Sequence, residues 1–288
     1  MKRVMSFGLF LFFVTGGLGI AVAQQAPKKV LVVMREFLKP GKGGMMHDKS
    51  ESAFVEAFSR AKWPTHYVGM TSLSGKSRAL FFVGYDSLED WEKDNTAIEK
   101  NPTLSAALDH AGLVDGELLN ELDGTVFRYR EDYSLRPNAD LAHRRYYEIT
   151  AVKVKPGHDK DWDDIVKMVL AAYDKAMPEV HWGCYQATYG MSEDLYIFVT
   201  GRNSLAEVDT DFAKNKDFVA AMGDEGMKKL EDLSAAAIES SETNLFAINP
   251  RMSYVPDELS KVDPGFWNSK PMGEPAAHKK AAEKPKAQ

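Results

Sequence analysis

The feature that most limits how this chain can fold is that it writes one pattern twice. An apolar run ends in Lys39-Pro40-Gly41, and after a short insertion His47-Asp48-Lys49 opens a helical pattern. Further on, Lys155-Pro156-Gly157 leads directly into His158-Asp159-Lys160. Pro64-Thr65-His66-Tyr67 is answered by Pro178-Glu179-Val180-His181-Trp182, and Leu80, Phe81 and Phe82 match Leu195, Tyr196 and Ile197 at one constant separation. A repeat of this length implies two similar domains, not a solenoid of short units. With 288 residues, 44% of them hydrophobic, the chain is long enough for two cores of about 100 residues each.

Each copy reads as βαββαβ. In the first, Val30 to Leu38 is too short and too apolar for anything but a strand buried on both faces. From Asp48, the positions Ala53, Phe54, Ala57, Phe58 and Ala61 give helical spacing that Trp63-Pro64 ends. Strands are expected at His66 to Leu73 and Arg78 to Tyr85, then helix from Leu88 to Ala111 broken near Asn101-Pro102, then a strand from Thr125 to Tyr133. The second copy predicts strands at Tyr146 to Val154, His181 to Thr188, Leu195 to Thr200 and Thr243 to Ile248. Its helices are Asp159 to Met177, Leu205 to Phe212 and Asp217 to Ser240, with a break between Gly223 and Gly226.

Helices on one face of such a sheet leave the other face bare, and Leu80 to Tyr85 is apolar on both sides. Packing the two bare faces together within one chain makes a pseudo-twofold α+β barrel. Tyr147 to Gly157, followed by a helix carrying Trp162 and then a hairpin, resembles the opening of the dimeric α/β-barrel superfamily, which includes NIPSNAP-like, stress-responsive and antibiotic-biosynthesis-monooxygenase types. The resemblance implies two tandem ferredoxin-like domains, 24–140 and 141–255, forming an internally duplicated barrel. It leaves the chemistry open, because such folds serve cofactor-free oxygenases, haem enzymes, isomerases and other proteins alike.

The ends carry different information. Lys2 and Arg3, the apolar stretch Val4 to Ile20 and Ala21-Val22-Ala23 have the order of an export signal over 1–23. The expected mature protein is periplasmic or secreted, starts at Gln24 and has no stable membrane insertion; an uncleaved anchor is the alternative. From Pro256 the chain turns rich in Pro, Lys and Ala, and 256–288 is expected to be a flexible tail with local docking of Phe266 and Trp267. The net charge of −6 argues against nucleic acid, leaving a small-molecule ligand and self-association as the partners to consider. Cys184 is the single cysteine, so no internal disulfide can form, and a small buried thiol is favoured over a nucleophile.

Candidate site residues come from the repeat and from charges in apolar strands. His66 and His181 hold matching strand positions and are the catalytic candidates, as bases or ligands. His47 and His158 precede Asp48 and Asp159 at the start of each first helix and read as capping positions. Glu36, Glu148, Arg128 and Arg130 are charges in strands, where burial is costly; the arginines form a clamp for a carboxylate ligand or pair at a rim. A ligand-binding set of His181, Tyr185, Glu148, Tyr85 and Arg128 follows, with Met70 and Tyr189 completing a barrel cavity for a small apolar or aromatic molecule. No motif for a metal, a nucleotide or a catalytic triad is present, so neither metal nor cofactor is expected. Ligand binding, a cofactor-independent monooxygenase-like activity and a scaffold role all remain open.

Overall fold

The computed structural model describes residues 26–137 and 140–268. The expected export segment and the end of the tail lie outside them. The first half contains β1 (Val30–Leu38), α1 (Met45–Ala61), β2 (Tyr67–Ser72), β3 (Arg78–Tyr85), α2 (Leu88–Glu99), α3 (Pro102–Gly116) and β4 (Leu119–Leu135). The second contains β5 (Tyr146–Val154), α4 (Asp159–Ala176), β6 (Trp182–Tyr189), β7 (Leu195–Arg202), α5 (Ala206–Ala237) and β8 (Ile238–Ile248). Two short helices follow, α6 (Asp257–Val262) and α7 (Pro264–Trp267). None of the described helices is long and apolar enough to cross a membrane.

The strands close an antiparallel barrel in the order β1-β3-β2-β8-β5-β7-β6-β4. Within it β4-β1-β3-β2 and β8-β5-β7-β6 follow the same order, element for element. The two groups join edge to edge, with Met70 opposite Ile248 on one seam and Arg130 opposite Cys184 on the other. Joined edges satisfy backbone hydrogen bonds that two facing sheets would leave open. Leu31, Val33, Met70, Leu80, Phe127, Ile149, Ile197 and Phe246 fill the interior. Residues alternating with them face the helices.

The helix-facing layers differ. In the second half, Val152, Trp162, Ile165, Val166, Trp182, Tyr196 and Phe218 belong to one continuous apolar cluster under α4 and α5. In the first half, the apolar contacts form two small groups, one around Val30, Val32 and Tyr85 and the other around Phe81 and Met252. Buried polar residues stand near them.

Three departures from the sequence reading have local causes. β8 begins at Ile238, where a helix to Ser240 was expected, because Lys153 and Val154 of β5 pair with Ser240 and Ile238; pairing overrides the helical preference of an Ala-rich stretch. α1 starts at Met45 after Gly44 at φ 65, so His47 lies inside the first turn and is not its cap. The segment after Pro256 is folded as far as Trp267, whose indole N–H donates to Ala142 O at 3.0 Å. Trp267 is buried against the barrel-interior cluster, the local docking that was expected, and the departure is that α6 is folded ahead of it in a stretch otherwise expected to be flexible.

Candidate functional site

The barrel interior is too full to hold a ligand. A space of about 90 Å³ lies at one end beside Arg35, Arg78 and Met191, well below the size of an ordinary ligand pocket. Of the residues expected to line a barrel cavity, Met70 and Tyr185 do point inward, but they pack within the interior cluster. Tyr85 faces outward and its hydroxyl donates to Asp94 Oδ2 at 2.8 Å. Tyr189 is exposed at the end of β6.

The larger space lies outside the barrel, between the second half's sheet and its helices, with a volume of about 410 Å³. Val152, Phe198 and Trp182 form its floor, and Trp162, Val166 and Tyr173 on α4 line its wall. The α4 stripe was legible at helical spacing, and the outward positions of β5 and β7 follow from strand alternation. Arg202 is buried at the polar end, paired with Asp211 and 3.8 Å from Glu148. Two buried donors on residues of this lining, Trp162 Nε1 and Arg202 Nε, have no acceptor among the described residues. A buried N–H without a partner costs free energy; neither atom is open to the space as it stands, so an acceptor oxygen would relieve them only where the lining side chains shift to meet it.

Of the expected ligand-binding set, only Glu148 lines this cavity. His181 lies between two lining residues, Val180 and Trp182, but alternation turns its ring away. Its Nδ1 and Nε2 are 3.1 and 3.2 Å from the carbonyls of Glu179 and Gly201. His66 stacks on Tyr254 with ring centroids 4.6 Å apart. Neither histidine faces the cavity. Arg128 and Arg130 both donate to Gln186 Oε1, at 3.2 and 2.8 Å, and Arg130 also grips Asp132; of the two expected arrangements this is the pairing at a rim. Phe127 and Tyr133, an even number of residues apart on β4, do not share a face: irregular pairing between Arg130 and Leu135 leaves Tyr133 on Trp162 while Phe127 stays inside the barrel.

A second group, under α1 in the first half, was not anticipated as a unit. Glu36 on β1, His47 and Glu51 on α1 and Asp115 near the end of α3 are all buried, and one ligand-type atom of each lies within 4.8 Å of the others. His47 Nε2 is 2.9 Å from Glu36 Oε2, 3.5 Å from Asp115 Oδ1 and 3.9 Å from Glu51 Oε1. Burial pushes the Glu51 carboxyl up to about 10, with the charges of Glu36 and Asp115 adding to it. Burial also raises Glu36, against the opposing hydrogen bond from His47. Tyr67 has a buried hydroxyl without a partner; burial raises its pKa, and the charges of Glu51 and Glu36 add to the effect. Glu36 and His47 were each visible in the sequence, but Glu51 and Asp115 were missed. The available signal was that His47 and Glu51 share the helical stripe of Phe54 and Phe58, a place for apolar groups.

No protein-family model and no curated protein matches the sequence. Among solved structures, an anthrone oxidase-like protein is 15% identical with a TM-score of 0.46, over 77% of this chain and 92% of that one. A protein assigned provisionally as a monooxygenase from Fusobacterium nucleatum gives 11% and 0.49, over 78% and 94%. A chlorite dismutase variant from Candidatus Nitrospira defluvii gives 12% and 0.44, over 82% and 96%. At these levels the likenesses carry no argument about chemistry.

Proposed function

We propose that this is an exported protein that binds a small aromatic ligand bearing acceptor oxygens, in the cavity between the second half's sheet and α4 and α5. The reading includes an internal duplication of two ferredoxin-like βαββαβ units, 24–140 and 141–255, of the NIPSNAP and antibiotic-biosynthesis-monooxygenase kind. The observation that carries the binding site is the combination of about 410 Å³ of aromatic-lined space with two buried, unpartnered donors, Trp162 Nε1 and Arg202 Nε. The aromatic walls supply dispersion and apolar burial, and the donors select for oxygen. Binding is preferred over acid-base catalysis because neither candidate base, His66 or His181, is among the lining residues.

The test uses anilinonaphthalene sulfonate, an aromatic anion with acceptor oxygens, as a fluorescent probe. The native protein is expected to enhance its emission at saturable stoichiometry, and aromatic carboxylates or phenols are expected to displace it. Val166→Trp fills the cavity from α4 and should abolish the signal while the protein stays folded. Trp162→Phe keeps the wall but deletes a donor, and should weaken binding by about 1 kcal/mol. Absence of enhancement by the native protein, or equal enhancement by the Val166→Trp variant, sinks the proposal.

A further inference from the structure

The two halves offer an internal comparison that bears on the buried histidine and carboxylates. Glu36 stands three residues before Lys39 of the first Lys-Pro-Gly, where Val152 stands before Lys155 of the second. Glu51 stands four residues after His47, where Trp162 stands four after His158. Val152 and Trp162 are core residues of the second half's helix layer. The first half therefore puts two carboxyls where its counterpart puts a valine and a tryptophan. Asp115, from α3, adds a third. Three carboxyls in a dry layer are a poor way to stabilise a sheet against a helix, so packing alone does not explain them.

We propose that Glu36, His47, Glu51 and Asp115 form a binding site for one divalent transition-metal ion of the manganese, iron(II) or zinc class. The donors come from three elements and converge on His47 Nε2 at 2.9 to 3.9 Å. An ion with bonds of about 2.0–2.2 Å to nitrogen and oxygen spaces its ligand atoms about 3–4 Å apart, which matches. His47 and Glu51, four residues apart on α1, face the same side of the helix. Glu51 Oε1 and Asp115 Oδ1 are buried, at 3% and 2% residue exposure, and accept from no donor among the described residues. Both residues belong to the group whose ligand-type atoms all lie within 4.8 Å of one another, close enough for one ion or one shared proton to bridge them. Imidazole with carboxylates, without thiolate, suits first-row divalent ions and disfavours calcium, which takes six to eight oxygens. The proposal is independent of the ligand cavity, which lies in the other half.

The experiment uses the full chain, stripped with a chelator and then equilibrated separately with Mn²⁺, Fe²⁺ (under anaerobic conditions) and Zn²⁺. For at least one of these ions, elemental analysis should give one ion per chain after gel filtration, and the thermal midpoint should rise with that metal. Glu51→Gln is the decisive variant: its amide can donate to Asp115 as a protonated carboxyl does, so the stripped protein keeps its midpoint, while the anionic ligand is gone. Its affinity should fall about 10–100-fold or more. If that variant does not fold, Asp115→Asn must show the same loss. Failure of all three ions to bind stoichiometrically or to shift the native protein's midpoint overturns the proposal, as does native affinity in the folded variant; the group is then a proton-sharing cluster only.

Discussion

His47 Nε2 lies 2.9 Å from Glu36 Oε2, and this buried contact ties the first turn of α1 to the strand beneath it. The matching histidine, His158, instead contacts Asp161 one turn along its own helix, with both side chains more than a third exposed. Removing one partner of a buried hydrogen-bonded contact leaves the other without a partner, whereas an exposed pair is screened by water. His47→Ala should therefore lower the stability of the metal-free protein by about 2–3 kcal/mol. His158→Ala should change it by about 1 kcal/mol at most. Urea unfolding of the two variants in chelator checks the contrast.

That contrast marks what the sequence could reveal. β1, β3 and β5 were legible to the residue, because Val30–Leu38, Arg78–Tyr85 and Tyr146–Val154 are short runs rich in apolar, β-branched and aromatic residues. The α4 stripe was legible from its period. The cavity beside it was not, because Arg202 and Asp211 meet only when β7 and α5 pack, and a period says nothing about how closely a helix approaches a sheet. His47 was misplaced by the start of α1 alone. Glu36 was noticed as a charge in a strand, but its partners come from α1 and α3, and no spacing rule joins residues from three elements.

Gly190 directly follows β6 at φ +87, and a Cβ built there would stand 2.2 Å from the carbonyl oxygen of Gly124 on β4. The conformation and the close approach both require glycine. Gly190→Ala should destabilise the protein by about 2–3 kcal/mol, since the obstacle is backbone and cannot rotate aside. Gly157→Ala is the control: φ is +83 but no atom lies within 4 Å, so only the strain of about 1 kcal/mol applies. Thermal unfolding of both distinguishes crowding from strain.

Cys184 is fully buried in β6, and burial pushes its thiol well above the ordinary value. The nucleophile is the thiolate, so neither access nor ionisation favours reaction. The native protein should not react with a disulfide reagent at neutral pH over the time in which the urea-unfolded protein reacts completely. Rapid stoichiometric modification of the folded chain would show that β6 opens at its seam with β4.

His181 gives a pH dependence whose sign follows from its surroundings. Burial pushes its imidazole below the ordinary 6.5, and the guanidiniums of Arg144 and Arg202 add to the effect. The carbonyls of Glu179 and Gly201, one at each ring nitrogen, oppose it by favouring the charged ring. The two cations and the loss of water outweigh them, so the folded protein holds the proton less tightly than the unfolded chain does. Stability from this group is then fully present above pH 6.5 and is lost as pH falls through the folded value. His181→Asn, which cannot titrate yet can still donate to one carbonyl, should lack that component. Urea unfolding of wild type and variant between pH 5 and 8 isolates it, because every other titrating group is common to both. Their stability difference should shift in the variant's favour on the acid side. A difference that stays level would mean that the opposing effects cancel, and one that moves the other way would mean that the carbonyls prevail and that His181 is held as the cation.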